Sequence, residues 1–151
     1  MSAQPKYLRS LAVLLGIGGL VPFIGLAWLC LRDTSGSSEY QHSLVVYAAS
    51  ITSFVGAVHW GLVLGEANTT RRHALQLAWS VVPSLAAWGV TTSGEPRTAL
   101  VRMALVLAAC WLTDAVFLRW GAIPVWYFRL RSLLTFVAVA SLMLTGLASS
   151  G

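Results

Sequence analysis

Five stretches of this chain are long, apolar and nearly free of charge, and that pattern decides what it can fold into. They run from about Leu11 to Leu31, Ser43 to Leu64, Ala74 to Val90, Ala99 to Leu118 and Ser132 to Ala148. A helix that crosses a bilayer needs roughly 17–25 residues at about 1.5 Å rise each. Backbone N–H and C=O groups placed in hydrocarbon must be bonded within their own segment, so these stretches read as helices and not as open strands. The expected fold is therefore all-α: one integral membrane bundle of five transmembrane helices occupying residues 1–151. The third stretch is near the lower length limit and contains Pro83, which leaves open whether it crosses completely.

Composition agrees. Charged residues are 10% of the chain, against about 25% in a soluble domain, and mean hydropathy is +0.74. A surface so poor in charge excludes a soluble enzyme, a disordered chain and a disulfide-stapled secreted module. The net charge of +5 does not indicate nucleic acid, because the basic residues are scattered and no run exceeds Arg71-Arg72; a nucleic-acid footprint needs a clustered patch. The expected partners are the lipid bilayer and other membrane proteins or a second copy of the chain. Cys30 and Cys110 form no CxxC motif and fall at different depths, so neither a metal motif nor a bridge is expected.

The connectors are polar and short: Asp33 to Glu39, Gly65 to Arg72, Thr91 to Pro96, and an aromatic stretch from Arg119 to Arg131. Lys6 and Arg9 resemble the start of a signal peptide, but the apolar run after them is longer than the usual 7–15 residues and no A-x-A site follows. The N-terminal tail and the second and fourth connectors hold seven basic residues, against three (Arg32, Arg97, Arg102) on the other side. The positive-inside rule then places the N-terminus in the cytoplasm.

His59 and Asp114 are ionisable residues placed well inside spans, where such groups are costly and are functional suspects. His59 is in the second span, and helical spacing aligns it with Thr52 and Glu66 as stripe neighbours. Asp114 is in the fourth. The second and fourth helices run in the same direction, which puts both residues at similar depth. An Asp114–His59 pair would hold the imidazole in one tautomer. The alternatives are an Asp114 paired with Arg119 near the interface, and a neutral His59 serving only to bond a neighbouring helix.

Other candidates are weaker. A haem on His42 and His59 would need ligands about 25 Å apart on one helix, and a His59–His73 pair would need a bend; no cofactor and no metal site is expected. Retinal bound as a Schiff base is excluded, since Lys6 is the lysine of this chain and lies outside every span. No Ser/His/acid set, HExxH, paired-carboxylate spacing or phosphate loop occurs, so no catalytic residue is assigned. Ala49, Ser53, Ala57 and Gly61 recur at i+4 and read as a helix-packing face. Gly16, Gly18, Gly19 and Pro22 read as close packing with a kink. Trp120, Trp126, Tyr127, Arg129 and Arg131 read as an interfacial belt.

The run Tyr47-Ala48-Ala49-Ser50-Ile51-Thr52-Ser53-Phe54-Val55-Gly56-Ala57-Val58-His59-Trp60-Gly61 resembles the hallmark of a small bacterial membrane family, domain of unknown function 3429, which also includes the eukaryotic transmembrane protein 69. Pro124-Val125-Trp126-Tyr127-Phe128-Arg129-Leu130-Arg131-Ser132-Leu133-Leu134-Thr135 and Gly18-Gly19-Leu20-Val21-Pro22-Phe23 add to the likeness. The resemblance implies a multi-pass membrane protein and supplies no activity, so no functional residue is carried over. The favoured expectation is a small non-enzymatic accessory or scaffold protein of the bacterial cytoplasmic membrane. The rival is a proton-linked transporter or channel centred on His59 and Asp114; a cofactor-binding membrane oxidoreductase subunit comes third.

Overall fold

The computed structural model describes residues 6–33, 37–66, 70–92 and 94–148. Parts of three expected connectors (34–36, 67–69 and 93) lie outside the described residues. Within them the chain forms α1 (Lys6–Gly18), α2 (Val21–Arg32), α3 (Ser37–Leu64), α4 (Arg71–Trp79), α5 (Val82–Thr91), α6 (Pro96–Arg119) and α7 (Val125–Ala148). Taken with their breaks, α1–α2 and α4–α5 each make one length, giving five helices long and apolar enough to cross a membrane.

Both breaks come from proline. Pro22 and Pro83 have no N–H to donate to the preceding turn, and each sits in the first turn of the half-helix that follows its break. The carbonyls released there find other donors or neighbours. Tyr47 on α3 donates its hydroxyl to the Gly19 carbonyl at 2.8 Å, with its ring edge-on to Phe23. At the second break α3 passes so close that a Cβ added at Gly56 would collide with the Ser80 carbonyl oxygen and lie 3.2 Å from Pro83 Cγ. Gly56 is thus the close-approach residue of α3.

The core lies where α2, α3, α5, α6 and α7 meet, around Phe23, Leu44, Ala48, Leu100, Met103, Leu107 and Leu142. The α6–α7 hairpin turns at Gly121, whose φ of 72° suits a residue without Cβ. It is tied near one end by Trp111 Nε1 donating to Ser132 Oγ at 2.8 Å and near the other by Arg97 Nε donating to the Gly146 carbonyl at 2.9 Å. Large apolar side chains cover the outside instead: Leu14, Phe54, Leu85, Trp88, Phe136 and Leu144 are all exposed. An apolar perimeter of this extent is stable against lipid tails and unstable in water.

Three expectations need correction. The spans are longer than their uncharged stretches, and α7 begins at Val125, seven residues before the expected Ser132. Pro124 opens that helix, and Arg129 and Arg131 are carried inside it. The packing face expected at Ala49, Ser53, Ala57 and Gly61 is only half used within this chain: Ala49 packs against the core and Ser53 is half-buried, whereas Ala57 and Gly61 are exposed and no described residue approaches the Gly61 position within 4 Å. The contact face is rotated by one residue, through Ala48, Thr52 and Gly56, because the broken α4–α5 rod needs bare backbone at Gly56. Arg131 does not belong to an interfacial belt, being 5% exposed.

Candidate functional site: a buried polar cluster below a basic vestibule

Asp114 is the centre of the cluster. Its Oδ1 accepts from His59 Nε2 at 2.8 Å, and its Oδ2 accepts from Arg131 Nε at 3.1 Å. On the other side of the imidazole, Gln76 Nε2 donates to His59 Nδ1 at 3.2 Å. Four helices contribute one residue each: α3 gives His59, α4 gives Gln76, α6 gives Asp114 and α7 gives Arg131. All four are enclosed, with exposures of 1, 2, 1 and 5% respectively. The Phe117 ring lies 4.8 Å from the His59 ring, centroid to centroid, and closes it off from one side.

The charges balance. An ionised Asp114 is neutralised by Arg131, whose guanidinium is the residue type best suited to a desolvated carboxylate. With a carboxylate on one side and an amide N–H on the other, Nε2–H donates to Asp114 and Nδ1 accepts from Gln76. Asp114 fixes this tautomer. Should His59 take up a proton, Nδ1 becomes a donor, and rotation of the Gln76 amide presents its Oε1 as the acceptor. The site therefore satisfies every imidazole N–H in either state. Two buried polar atoms have no partner among the described residues, Arg131 Nη2 and Thr135 Oγ1, one helical turn apart on α7.

A cavity of about 950 Å³ opens above the cluster at the end of the bundle that carries the N-terminal helix. Gln76 is in its wall, along with Arg9, Arg71, Arg72, His73 and Glu66. Arg9 lies over the Trp126 ring at 5.6 Å and Arg72 over the Trp120 ring at 5.7 Å, both within cation–π range. His73 is used locally: its Nδ1 accepts the Thr70 backbone N–H at 3.0 Å and caps α4.

Among the expected site residues, His59 and Asp114 are brought together, and Arg119 is not Asp114's partner. Of the two stripe neighbours, Thr52 is buried and bonds the Ala48 carbonyl, while Glu66 is exposed at the vestibule. Trp120, Trp126 and Tyr127 do frame the vestibule, and Arg129 is exposed. Sequence reasoning missed Gln76 and misplaced Arg131. A signal for Arg131 existed. On the hairpin, Asp114 stands six residues before Trp120 and Arg131 five residues after Trp126, so two opposite charges sit equally deep behind matching tryptophans.

The family description "Protein of unknown function (DUF3429)" matches residues 8–147, which is nearly the whole chain. The chain belongs to the DUF3429 family. Its similar relatives include transmembrane protein 69 of Xenopus tropicalis, 35% identical over 87% of this chain and 52% of that protein. Transmembrane protein 69 of Mus musculus is 26% identical over 89% of this chain and 54% of that protein. The chain spans about half the length of these curated relatives. No solved structure matches it. With its five membrane-length helices and apolar perimeter, this DUF3429 member is a multi-pass membrane protein.

Proposed function

We propose that this DUF3429 protein is proton-linked, a transporter or channel in which His59 takes up and releases a proton on the vestibule side. The observation that carries the reading is the position of Gln76: it lines the vestibule and at the same time bonds His59 Nδ1 at 3.2 Å. A proton arriving in the vestibule reaches His59 Nδ1 when the Gln76 amide swings off that nitrogen, and the rotated amide then offers its Oε1 to the new N–H. Histidine can take up a proton on one ring nitrogen while the other keeps its hydrogen bond, and the pairing of Arg131 with Asp114 leaves the imidazole available for that role. The basic-residue bias supports a cytoplasmic N-terminus, even with Arg131 removed from the count. The bacterial inner membrane rests on the motif resemblance alone.

The test is proton flux into liposomes carrying a trapped pH indicator. Flux should depend on external pH, vanish in His59→Ala and fall in Gln76→Leu, with helical content and monodispersity retained in both. A flux-free wild type, or a Gln76→Leu variant with unchanged flux, refutes the reading.

A second reading, a non-enzymatic scaffold, is supported by the exposed small residues Ala57 and Gly61, which leave α3 open to close approach by a helix of another chain. Gly61→Leu would then dissociate a complex that co-purifies in gentle detergent, while leaving monomer stability unchanged. A wild type that runs as a lone monomer under those conditions removes the scaffold reading.

A further inference from the structure

We propose that the vestibule and the apolar cavity beneath it form one binding site for a phosphate-headed lipid, the head held by arginines and one hydrocarbon chain lying inside the bundle. The apolar cavity measures about 400 Å³, within the usual size range of ligand pockets. It shares Val58, Trp126 and Tyr127 with the vestibule, so the two spaces adjoin.

The sequence of α1 draws the same boundary. Arg9 lines the vestibule; Ala12, Leu15 and Gly16, on the same helix face at following turns, line the apolar cavity. Opposite them on α7, Trp126 belongs to both spaces, and Leu130 and Leu134 continue downward at i+4 into the apolar one. Each wall thus changes from polar to largely apolar along its length, as an amphiphile does, the exception being Arg131, which lines the lower cavity and is held by Asp114. α1 is the least enclosed wall: it buries none of its side chains and touches α7 where Gly16 lies against Leu134, whereas α2 beyond the break buries Phe23, Ala27 and Cys30.

Charge selects the head. Arg9, Arg71 and Arg72 converge from two different spans and face the single carboxylate of Glu66, a local surplus of two positive charges. Guanidinium groups suit phosphate oxygens through paired N–H donors. Stacking of Arg9 on Trp126 and of Arg72 on Trp120 holds two of these groups at opposite sides of the opening, reducing the ordering needed on binding. Basic pockets between membrane helices are a known way to hold phosphorylated headgroups. The inference is independent of whether His59 moves protons.

The test counts bound lipid by native mass spectrometry on the full chain in neutral detergent, using three probes: oleoyl lysophosphatidate, monooleoyl glycerol with the same chain and no phosphate, and glycerol 3-phosphate with no chain. One lysophosphatidate should bind per chain, and each of the other two about tenfold or more weakly, the scale of a lost charge-assisted bond. Arg9→Gln/Arg72→Gln should weaken lysophosphatidate to the level of monooleoyl glycerol, and both positions are exposed, so folding is not at stake. Ala12→Phe should weaken lysophosphatidate and leave glycerol 3-phosphate unchanged. Arg102→Gln, at the other end of the bundle, should change nothing. Equal binding of monooleoyl glycerol, or wild-type binding by the double arginine variant, overturns the head site; glycerol 3-phosphate binding as tightly as lysophosphatidate, or wild-type binding by Ala12→Phe, overturns the chain cavity.

Discussion

Removing the cation from the buried cluster should destabilise the bundle far more than removing cation and anion together. In Arg131→Met, Asp114 keeps the 2.8 Å bond from His59 but loses the donor on Oδ2, at a position 1% exposed where water cannot replace it. Breaking a buried pair by deleting one partner costs about 3–5 kcal/mol, since a charge is left without compensation. Asp114→Asn strands the Arg131 guanidinium instead and should cost about 3 kcal/mol for the same reason. The double variant Arg131→Met/Asp114→Asn carries no net buried charge. It retains an Asn oxygen for His59, and its remaining defect is an unsatisfied amide NH2 group, about 1–3 kcal/mol. The coupling between the two positions should therefore be at least about 3 kcal/mol. It can be measured as a double-mutant cycle by sodium dodecyl sulfate titration in mixed micelles, following helical circular dichroism. If the two single losses add to the double loss within about 0.5 kcal/mol, Arg131 and Asp114 are not an energetic pair, and the charge balance assigned to the cluster is wrong.

Other expectations concern packing and unpaired atoms. Gly56→Ala should cost about 1–3 kcal/mol by overpacking, because the added Cβ meets backbone at Ser80 and the rigid ring of Pro83; the same substitution at Gly61, which faces open space, should be neutral or slightly stabilising in the same titration. Thr135→Val should be neutral or stabilising, since it deletes a buried hydroxyl that has no partner among the described residues while keeping its shape; a loss above about 1 kcal/mol would mean that Thr135 Oγ1 is bonded. Tyr47→Phe should destabilise by about 1 kcal/mol, because the Gly19 carbonyl freed at the first break loses its 2.8 Å donor.

The helical membrane architecture was legible because hydropathy over a span averages many residues and a single error does not move it. The pairing of His59 with Asp114 was legible as an alternative because two helices running the same way place equal depths side by side. Arg131 was not read correctly for a local reason. Its neighbours Trp126, Tyr127 and Arg129 have the composition of an interface, and an arginine two residues beyond another looks like more of the same. On a helix, however, those two arginines point about 200° apart, so Arg129 faces outward and Arg131 faces Asp114. Gln76 was passed over because an uncharged amide in a span raises no electrostatic alarm, although its position three residues after His73 places it on the inward face of α4.

The packing face shows a different limit. Small residues line two adjacent faces of α3, Ala48–Thr52–Gly56 and Ala49–Ser53–Ala57–Gly61, and a periodicity count cannot rank them. What selects the first is on another helix. Pro83 breaks the third span and turns the Ser80 carbonyl toward α3, and only a residue without Cβ tolerates that approach. Gly56 supplies it, and its place on the helix then sets the rotation of α3 as a whole. His59, three residues later, is carried inward with it, close enough to meet Gln76 on the same broken span and Asp114 on α6. The proline break and the bare glycine thus position the imidazole as surely as the carboxylate that holds it. A Gly56 variant that keeps its fold but rotates α3 outward should lengthen the His59–Asp114 contact before it loses the bundle, which cross-helix distance measurements between spin labels on α3 and α6 would detect.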